Sequence, residues 1–186
     1  MSRLRSFAPW IVYPIVAALF DWRLGAAVAS VLALAALVRG SREATTDVFA
    51  IAAAVFFAGL AVIAFADPTT GLHRYVPALT PGTLAVAAAV SIMLGRPFTI
   101  GFANRVAPRE FWDTPMFMHI NVVLTAVWAT SFAVTGAIIA VVLAFTPHAT
   151  GMLVGVQFAG FVVPMRICRR YPAAVRAREL VAAVRG

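Results

Sequence analysis

Six apolar runs constrain this chain more than any other feature of its sequence. They cover residues 7–20, 24–38, 48–66, 81–94, 120–145 and 151–167. A helix that crosses a bilayer needs about 20 apolar residues, within a range of roughly 17–25, and the third, fifth and sixth runs are long enough. The sequence therefore predicts an all-α, polytopic transmembrane helical bundle with six membrane segments within residues 1–167.

Composition also points to a membrane. Apolar residues make up 62% of the chain and charged residues 12%, against about 45–50% and about 25% in soluble domains. Too few polar residues are present to cover a water-exposed fold. All fifteen basic residues are arginine, and with abundant alanine and valine this coding bias indicates a GC-rich bacterial genome. We therefore expect a multi-pass protein of the bacterial inner membrane.

Arginine placement predicts the orientation. If all six segments cross and both termini are cytoplasmic, the outer side holds only Arg23 and Arg74, and the inner side holds the other thirteen arginines. Merging the first two segments into one crossing moves the arginines of the next two inner loops outside. Because basic residues in short loops resist translocation, we expect cytoplasmic N and C termini. Whether residues 7–20 and 24–38 both span fully or form a re-entrant pair stays open.

A signal peptide is the main alternative for the first segment. Two arginines near the start, an apolar run and the small residues AVAS at 27–30 match its three regions. However, Asp21, Trp22 and Arg23 interrupt the run where the apolar region of a signal peptide continues. We favour a retained membrane segment.

The predicted segments contain little polar chemistry. No ionisable residue lies near the middle of any segment, which argues against an ion-coupled pump because such proteins keep ionisable residues at membrane depth. A polar cavity lined by Gln157, Thr130 and Ser131 would instead favour a small transporter or lipid flippase. Gly151 and Gly155 form a GxxxG pattern that predicts close packing of two helices of this chain, with a dimer as the alternative.

Catalytic and metal sites are not predicted. The single Cys168 excludes an internal disulfide and cysteine-based metal centres. His73 and His148 share the outer side but lack the spacing of a haem or metal site. A membrane enzyme using His119 with Glu110 or Asp113 as acid and base is the third-ranked function. We predict no catalytic residue, metal or cofactor.

One inner loop, residues 95–119, mixes charged, aromatic and helix-breaking residues. Gly95, Arg96 and Pro97 should end a helix, residues 98–106 should form a short helical turn, and Pro108 suits the start of another helix. The aromatic residues that follow are typical of membrane-interface anchors. We expect this loop to lie on the membrane surface.

The loop and the C-terminal tail carry the residues predicted to bind anionic lipids or other membrane proteins. The tail, residues 168–186, should be a basic amphipathic helix that restarts at Pro172. Although the net charge of +8 suggests nucleic acid in a soluble domain, its placement here suits lipid headgroups. The predicted binding residues are Arg96, Arg105, Arg109, Phe111, Trp112, Arg166, Arg169 and Arg170.

Most of the chain resembles the bacterial septation protein A family of inner-membrane proteins. The resemblance rests on the start FAPWIVYPIVAALFDWRLGAAVASVLALAAL, a segment that closes on LGRP, and the later INVVLTAVWATSF. In that family a basic residue and a proline end a helix, and a tryptophan precedes a helix that begins with asparagine and carries a second tryptophan. The matching residues here are Gly95, Arg96, Pro97, Trp112, Asn121 and Trp128.

The resemblance implies a role in envelope biogenesis or cell division through contacts with other membrane proteins, and it implies no catalytic residues. We therefore predict a non-enzymatic integral membrane protein that binds partner proteins or lipids. The transporter or flippase and the membrane enzyme remain the alternatives.

Overall fold

The computed structural model describes residues 7–42, 48–146 and 149–185. All regular structure in these ranges is helical. The helices are α1 (Ala8–Leu19), α2 (Trp22–Arg42), α3 (Val48–Ala66), α4 (Val76–Met93), the short α5 (Ile100–Ala103), α6 (Pro115–Phe145) and α7 (Thr150–Arg185), with 3-10 turns at Gly71–Tyr75 and Arg109–Phe111.

Five of these helices are long and apolar enough to cross a membrane. The spans are Trp22–Gly40, Val48–Ala66, Gly71–Met93, Pro115–Phe145 and Thr150–Tyr171. The first predicted segment is the 12-residue α1, which is about 18 Å long at 1.5 Å per residue against about 30 Å of hydrocarbon. The prediction of an all-α, multi-pass membrane protein is confirmed for the described residues, with five candidate crossings in place of six segments.

Helices α1 and α2 form a hairpin that reverses at Phe20 and Asp21. A Cβ atom added at Gly25 would lie 3.1 Å from the backbone oxygen of Tyr13 and 3.1 Å from the backbone nitrogen of Ala17, so a larger residue would require the two helices to move slightly apart. Residues 7–38 therefore do not form one continuous helix, as a merged first crossing would require.

An aromatic core joins this hairpin to α3. The indole of Trp10 and the ring of Tyr13 pack against Phe57, with centroid distances of 4.9 Å and 5.6 Å. Small side chains of α2, including Ala26 and Ala29, are fully buried in the same cluster. Large rings on one side and alanines on the other let three apolar helices pack closely.

The second half of the bundle is built by α4 and α6. At Gly136 on α6, an added Cβ would lie 3.1 Å from the backbone oxygen of Ala78 and 3.3 Å from the backbone nitrogen of Gly82. The guanidinium of Arg74 donates a hydrogen bond of 2.9 Å to the backbone oxygen of Leu143. This bond ties the 3-10 turn before α4 to the last turn of α6, where a cation is electrostatically favourable.

Helix α7 packs on α6 and leaves most of its surface uncovered. Only 6% of its spanning residues are buried, against 28–39% in the other four spans. The contact with α6 includes a 2.7 Å hydrogen bond from the Ser131 hydroxyl to the backbone oxygen of Gly160.

Gly151 and Gly155, predicted to pack two helices of this chain together, make no close helix contact with the described residues. A Cβ at either position would meet no atom within 4 Å. The close approaches lie at Gly136 and at Gly160, where an added Cβ would meet the side chain of Thr135. The GxxxG spacing is present, but it faces away from α6.

Two helices begin earlier than predicted because proline fits the first turn of a helix. Pro77 lies in the first turn of α4, which begins at residue 76 instead of 81. Pro115 opens α6 five residues before the predicted start, and the Thr114 hydroxyl caps it by accepting a hydrogen bond from the Phe117 amide. The predicted restart at Pro172 does not occur, since α7 continues through it.

Candidate functional site

The loop between α4 and α6, residues 94–114, begins with a tight helix end. Gly95 has a φ of 66°, and its amide donates to the backbone oxygen of Ile92 while the amide of Arg96 donates to that of Ser91, both at 2.9 Å. This pair of bonds is the Schellman arrangement, which favours glycine at the left-handed position. The predicted helix end is confirmed, and it turns the exposed Arg96 side chain away from the bundle.

A buried serine joins the loop to α4. Ser91 is 1% exposed; its hydroxyl donates to the backbone oxygen of Ala88 at 2.7 Å and accepts from the amide of Phe98 at 3.2 Å. The hydroxyl therefore satisfies an amide that the turn would otherwise leave unpaired in an apolar environment.

Aromatic contacts hold the same segment against α3. The ring of Phe98 lies 4.7 Å from that of Phe49, and Phe7 lies 5.3 Å from Phe49 and 6.2 Å from Phe102. Phe49 is buried and belongs to the core. The predicted helical turn, observed as α5, is thus packed on the bundle and does not float above it.

Polar contacts hold the segment against α6. The Thr99 hydroxyl donates to the backbone oxygen of Asn121 at 2.9 Å and lies 2.9 Å from the hydroxyl of Thr125. Because a hydroxyl has one hydrogen, Thr125 donates in the second bond. Thr99 precedes α5 but makes no capping bond to it, so its side chain serves the contact between elements. We call Ser91, Phe98, Thr99, Asn121 and Thr125 the loop clamp.

Asn121 has a second role inside α6. Its amide nitrogen donates to the backbone oxygen of Phe117 at 2.8 Å, while its side-chain oxygen is buried without a partner among the described residues. The resemblance singled out Asn121 as the start of a helix, but the residue lies six positions inside α6 and is 1% exposed.

The outer part of the loop presents an aromatic and basic surface. The indole nitrogen of Trp112 donates to the backbone oxygen of Ala107 at 3.1 Å, and the guanidinium of Arg109 lies 5.7 Å from the centre of the Trp112 ring. Phe111 is 42% exposed, and Arg105 is exposed. Trp112 is therefore fixed by its own loop, while Phe111 and the arginines face outward.

The predicted basic residues are exposed and have no carboxylate partner among the described side chains. Among the side chains that the structure describes, the only ion pair joins Arg23 to Asp21 at 2.9 Å. The six predicted binding arginines are Arg96, Arg105 and Arg109 in the loop and Arg166, Arg169 and Arg170 on α7. Their charges are available to groups outside the chain.

The residues of the enzyme alternative are not brought together. His119, Glu110 and Asp113 are all exposed, and within the described ranges no hydrogen bond or ion pair joins the histidine to either carboxylate. His73 stacks on Trp22 at 5.3 Å. His148, which shares the predicted outer side with His73, lies outside the described residues. The described residues contain no group of three metal-ligating side chains.

The residues of the transporter alternative are exposed or bonded to the backbone. Gln157 and Thr130 are exposed on the outside of their helices, and Ser131 is hydrogen-bonded to Gly160. Trp128, singled out by the resemblance, packs against Phe161 with ring centres 5.1 Å apart. It therefore belongs to the contact between α6 and α7.

Sequence reasoning missed Ser91 and Thr99 as loop-clamp residues. A signal for the clamp was available, because Asn121 and Thr125 lie one helical turn apart in an apolar run and so share a face. Comparisons with protein-family models, curated proteins and solved structures find no match to this chain.

Proposed function

We propose that this chain is a non-enzymatic, multi-pass protein of the bacterial inner membrane that binds partner proteins or anionic lipids. The observation that carries the proposal is the set of six exposed arginines without a carboxylate partner among the described residues, three of them on a loop that the clamp holds against three helices. Arginines on a docked loop are suited to recognition, since less backbone freedom is lost on binding.

The orientation that we propose does not depend on whether α1 crosses. With six crossings, thirteen of the fifteen arginines lie on the side of the α4–α6 loop. With five crossings only Arg3 and Arg5 change sides, which leaves eleven. Both distributions make the loop and the C terminus cytoplasmic by the positive-inside rule. We favour six segments with both termini in the cytoplasm.

The charge is sufficient for lipid recognition. Each arginine near an anionic leaflet contributes about 1 kcal/mol, so the three loop arginines together contribute about 3 kcal/mol, and Phe111 adds apolar burial at the interface. A role in envelope biogenesis or division comes only from the resemblance to the septation protein A family and is part of the proposal.

The test is copurification in mild detergent. Native phospholipids and proteins retained by the wild type would be compared with those retained by a variant in which Arg96, Arg105 and Arg109 are glutamine. Arg23→Gln is the matched control, because that arginine is exposed but already paired with Asp21. We expect the triple variant to lose anionic lipid or protein and the control to retain both. Equal retention by all three chains would overturn the proposal.

A further inference from the structure

Three of the unpaired arginines lie on the same face of α7 as its small residues. At 100° of rotation per residue, the six positions fall within an arc of about 100° around the helix axis. These positions are Gly151, Gly155, Ala159, Arg166, Arg169 and Arg170, and each of them is exposed.

This face points away from the rest of the chain. The contacts of α7 with the bundle include Leu153 and Val156, which pack on the cluster of Ala78, Ile139 and Leu143, as well as Gly160 and Phe161. These four positions are centred about 160° around the helix axis from Gly155. Together with the low burial of the span, this leaves a long helix face that no described part of the chain covers.

Glycine suits a protein neighbour on this face better than lipid. A glycine inside a helix costs roughly 0.5–1 kcal/mol relative to alanine, and it offers lipid chains no side chain to pack against. Exposed positions of the helix outside this arc carry bulky residues such as Val154 and Phe158. Small residues spaced by four allow a second helix backbone to approach closely.

We infer that this face of α7 binds the transmembrane helix of a different protein that carries acidic residues at its cytoplasmic end. This inference rests on the proposed function and its orientation, and it names the partner class. The argument is charge complementarity: Arg166, Arg169 and Arg170 lie where the apolar small-residue face ends, and no described carboxylate pairs with them.

A second copy of this chain fits the face less well. All copies insert with the same orientation, so a symmetric contact through α7 would bring three arginines of one copy against three of the other. Like charges in close contact oppose association. An acidic partner helix satisfies both halves of the face, since it packs over the glycines and neutralises the arginines.

The binding test uses synthetic helices in vesicles of zwitterionic phosphatidylcholine, so that no anionic lipid competes. One peptide has about 20 leucine and alanine residues, with glycines spaced by four. It ends in three glutamates on the side of the membrane where the α7 arginines lie. The control peptide ends in three lysines instead. Energy transfer between a labelled peptide and the labelled full chain reports association. We expect the glutamate peptide to bind and the lysine peptide not to bind.

Two variants and one matched control examine the face itself. Replacing the three α7 arginines by glutamine, or Gly155→Leu, should weaken binding of the glutamate peptide by about tenfold or more. Gly59→Leu is the control, because Gly59 is also exposed in a spanning helix and a Cβ there also meets no atom within 4 Å. It should bind like the wild type.

The remaining outcomes count against the inference. Equal binding of both peptides, or unchanged binding by Gly155→Leu, would overturn it. If two copies of the chain show energy transfer and Gly155→Leu abolishes that transfer, the face belongs to a homodimer. If the chain enriches phosphatidylglycerol in an arginine-dependent way and does not bind the peptide, the face belongs to lipid. If the peptide tests fail while the loop-arginine variant still loses its copurifying partners, only the inference is wrong. If the copurification test fails as well, the proposed function is also wrong.

Discussion

Thr99→Val tests the loop clamp with a change of almost constant volume. The valine cannot donate to the Asn121 backbone oxygen or accept from Thr125. Each such bond is worth about 0.5–1.5 kcal/mol net, and polar contacts between membrane helices average about 0.6 kcal/mol. We therefore expect the loop to be held about 1–2 kcal/mol less tightly, which raises the population of undocked loop by about 5–30-fold.

The assay is amide hydrogen exchange in detergent, read at residues 98–106 and at the centre of α3. The amide of Phe98 and those of α5 should exchange faster in Thr99→Val by that factor, while the α3 amides stay unchanged because the opening is local. Thr83→Val is the matched control, since the Thr83 hydroxyl bonds only to the backbone of its own helix, at Leu79. If the loop amides exchange at the same rate in Thr99→Val and Thr83→Val, the loop clamp is refuted.

Three further predictions concern packing and topology. Gly136→Leu should lower the melting temperature in detergent far more than Gly155→Leu, because its side chain would enter the α4 backbone; equal shifts would contradict the packing. Arg74→Gln should destabilise the chain by about 1–3 kcal/mol by removing a charged bond to α6, measured by denaturant titration against wild type. In a cysteine-free background, an impermeant thiol reagent added outside cells should label a cysteine at position 73 and not at position 105; the reverse pattern would invert the proposed orientation.

The positions of the long helices could be predicted from the sequence because long hydrophobic runs form the membrane-spanning helices. The third run matches α3 residue for residue, since the sequence is polar just before Val48 and Asp67 follows the helix. Gly95 ended its helix as predicted because a left-handed residue there favours glycine. In contrast, the early starts of α4 and α6 depended on prolines that break a helix interior but fit its first turn.

Contacts between distant residues could not be predicted in the same way. A GxxxG spacing reveals that a helix has a smooth face but not which neighbour covers it, so Gly151 and Gly155 were assigned to contacts that Gly136 and Gly160 make. The bond from Thr99 to Asn121 joins residues 22 positions apart. No periodicity records such a pairing.

The loop clamp also couples the loop to the helices beneath it. The loop bonds to the Ser91 hydroxyl on α4 and to the Asn121 backbone oxygen on α6, and the ring of Phe98 packs on α3. A ligand that prefers the docked loop therefore stabilises the packing of α4 against α6. By thermodynamic reciprocity, any change that tightens this packing raises the affinity for that ligand by the same free energy.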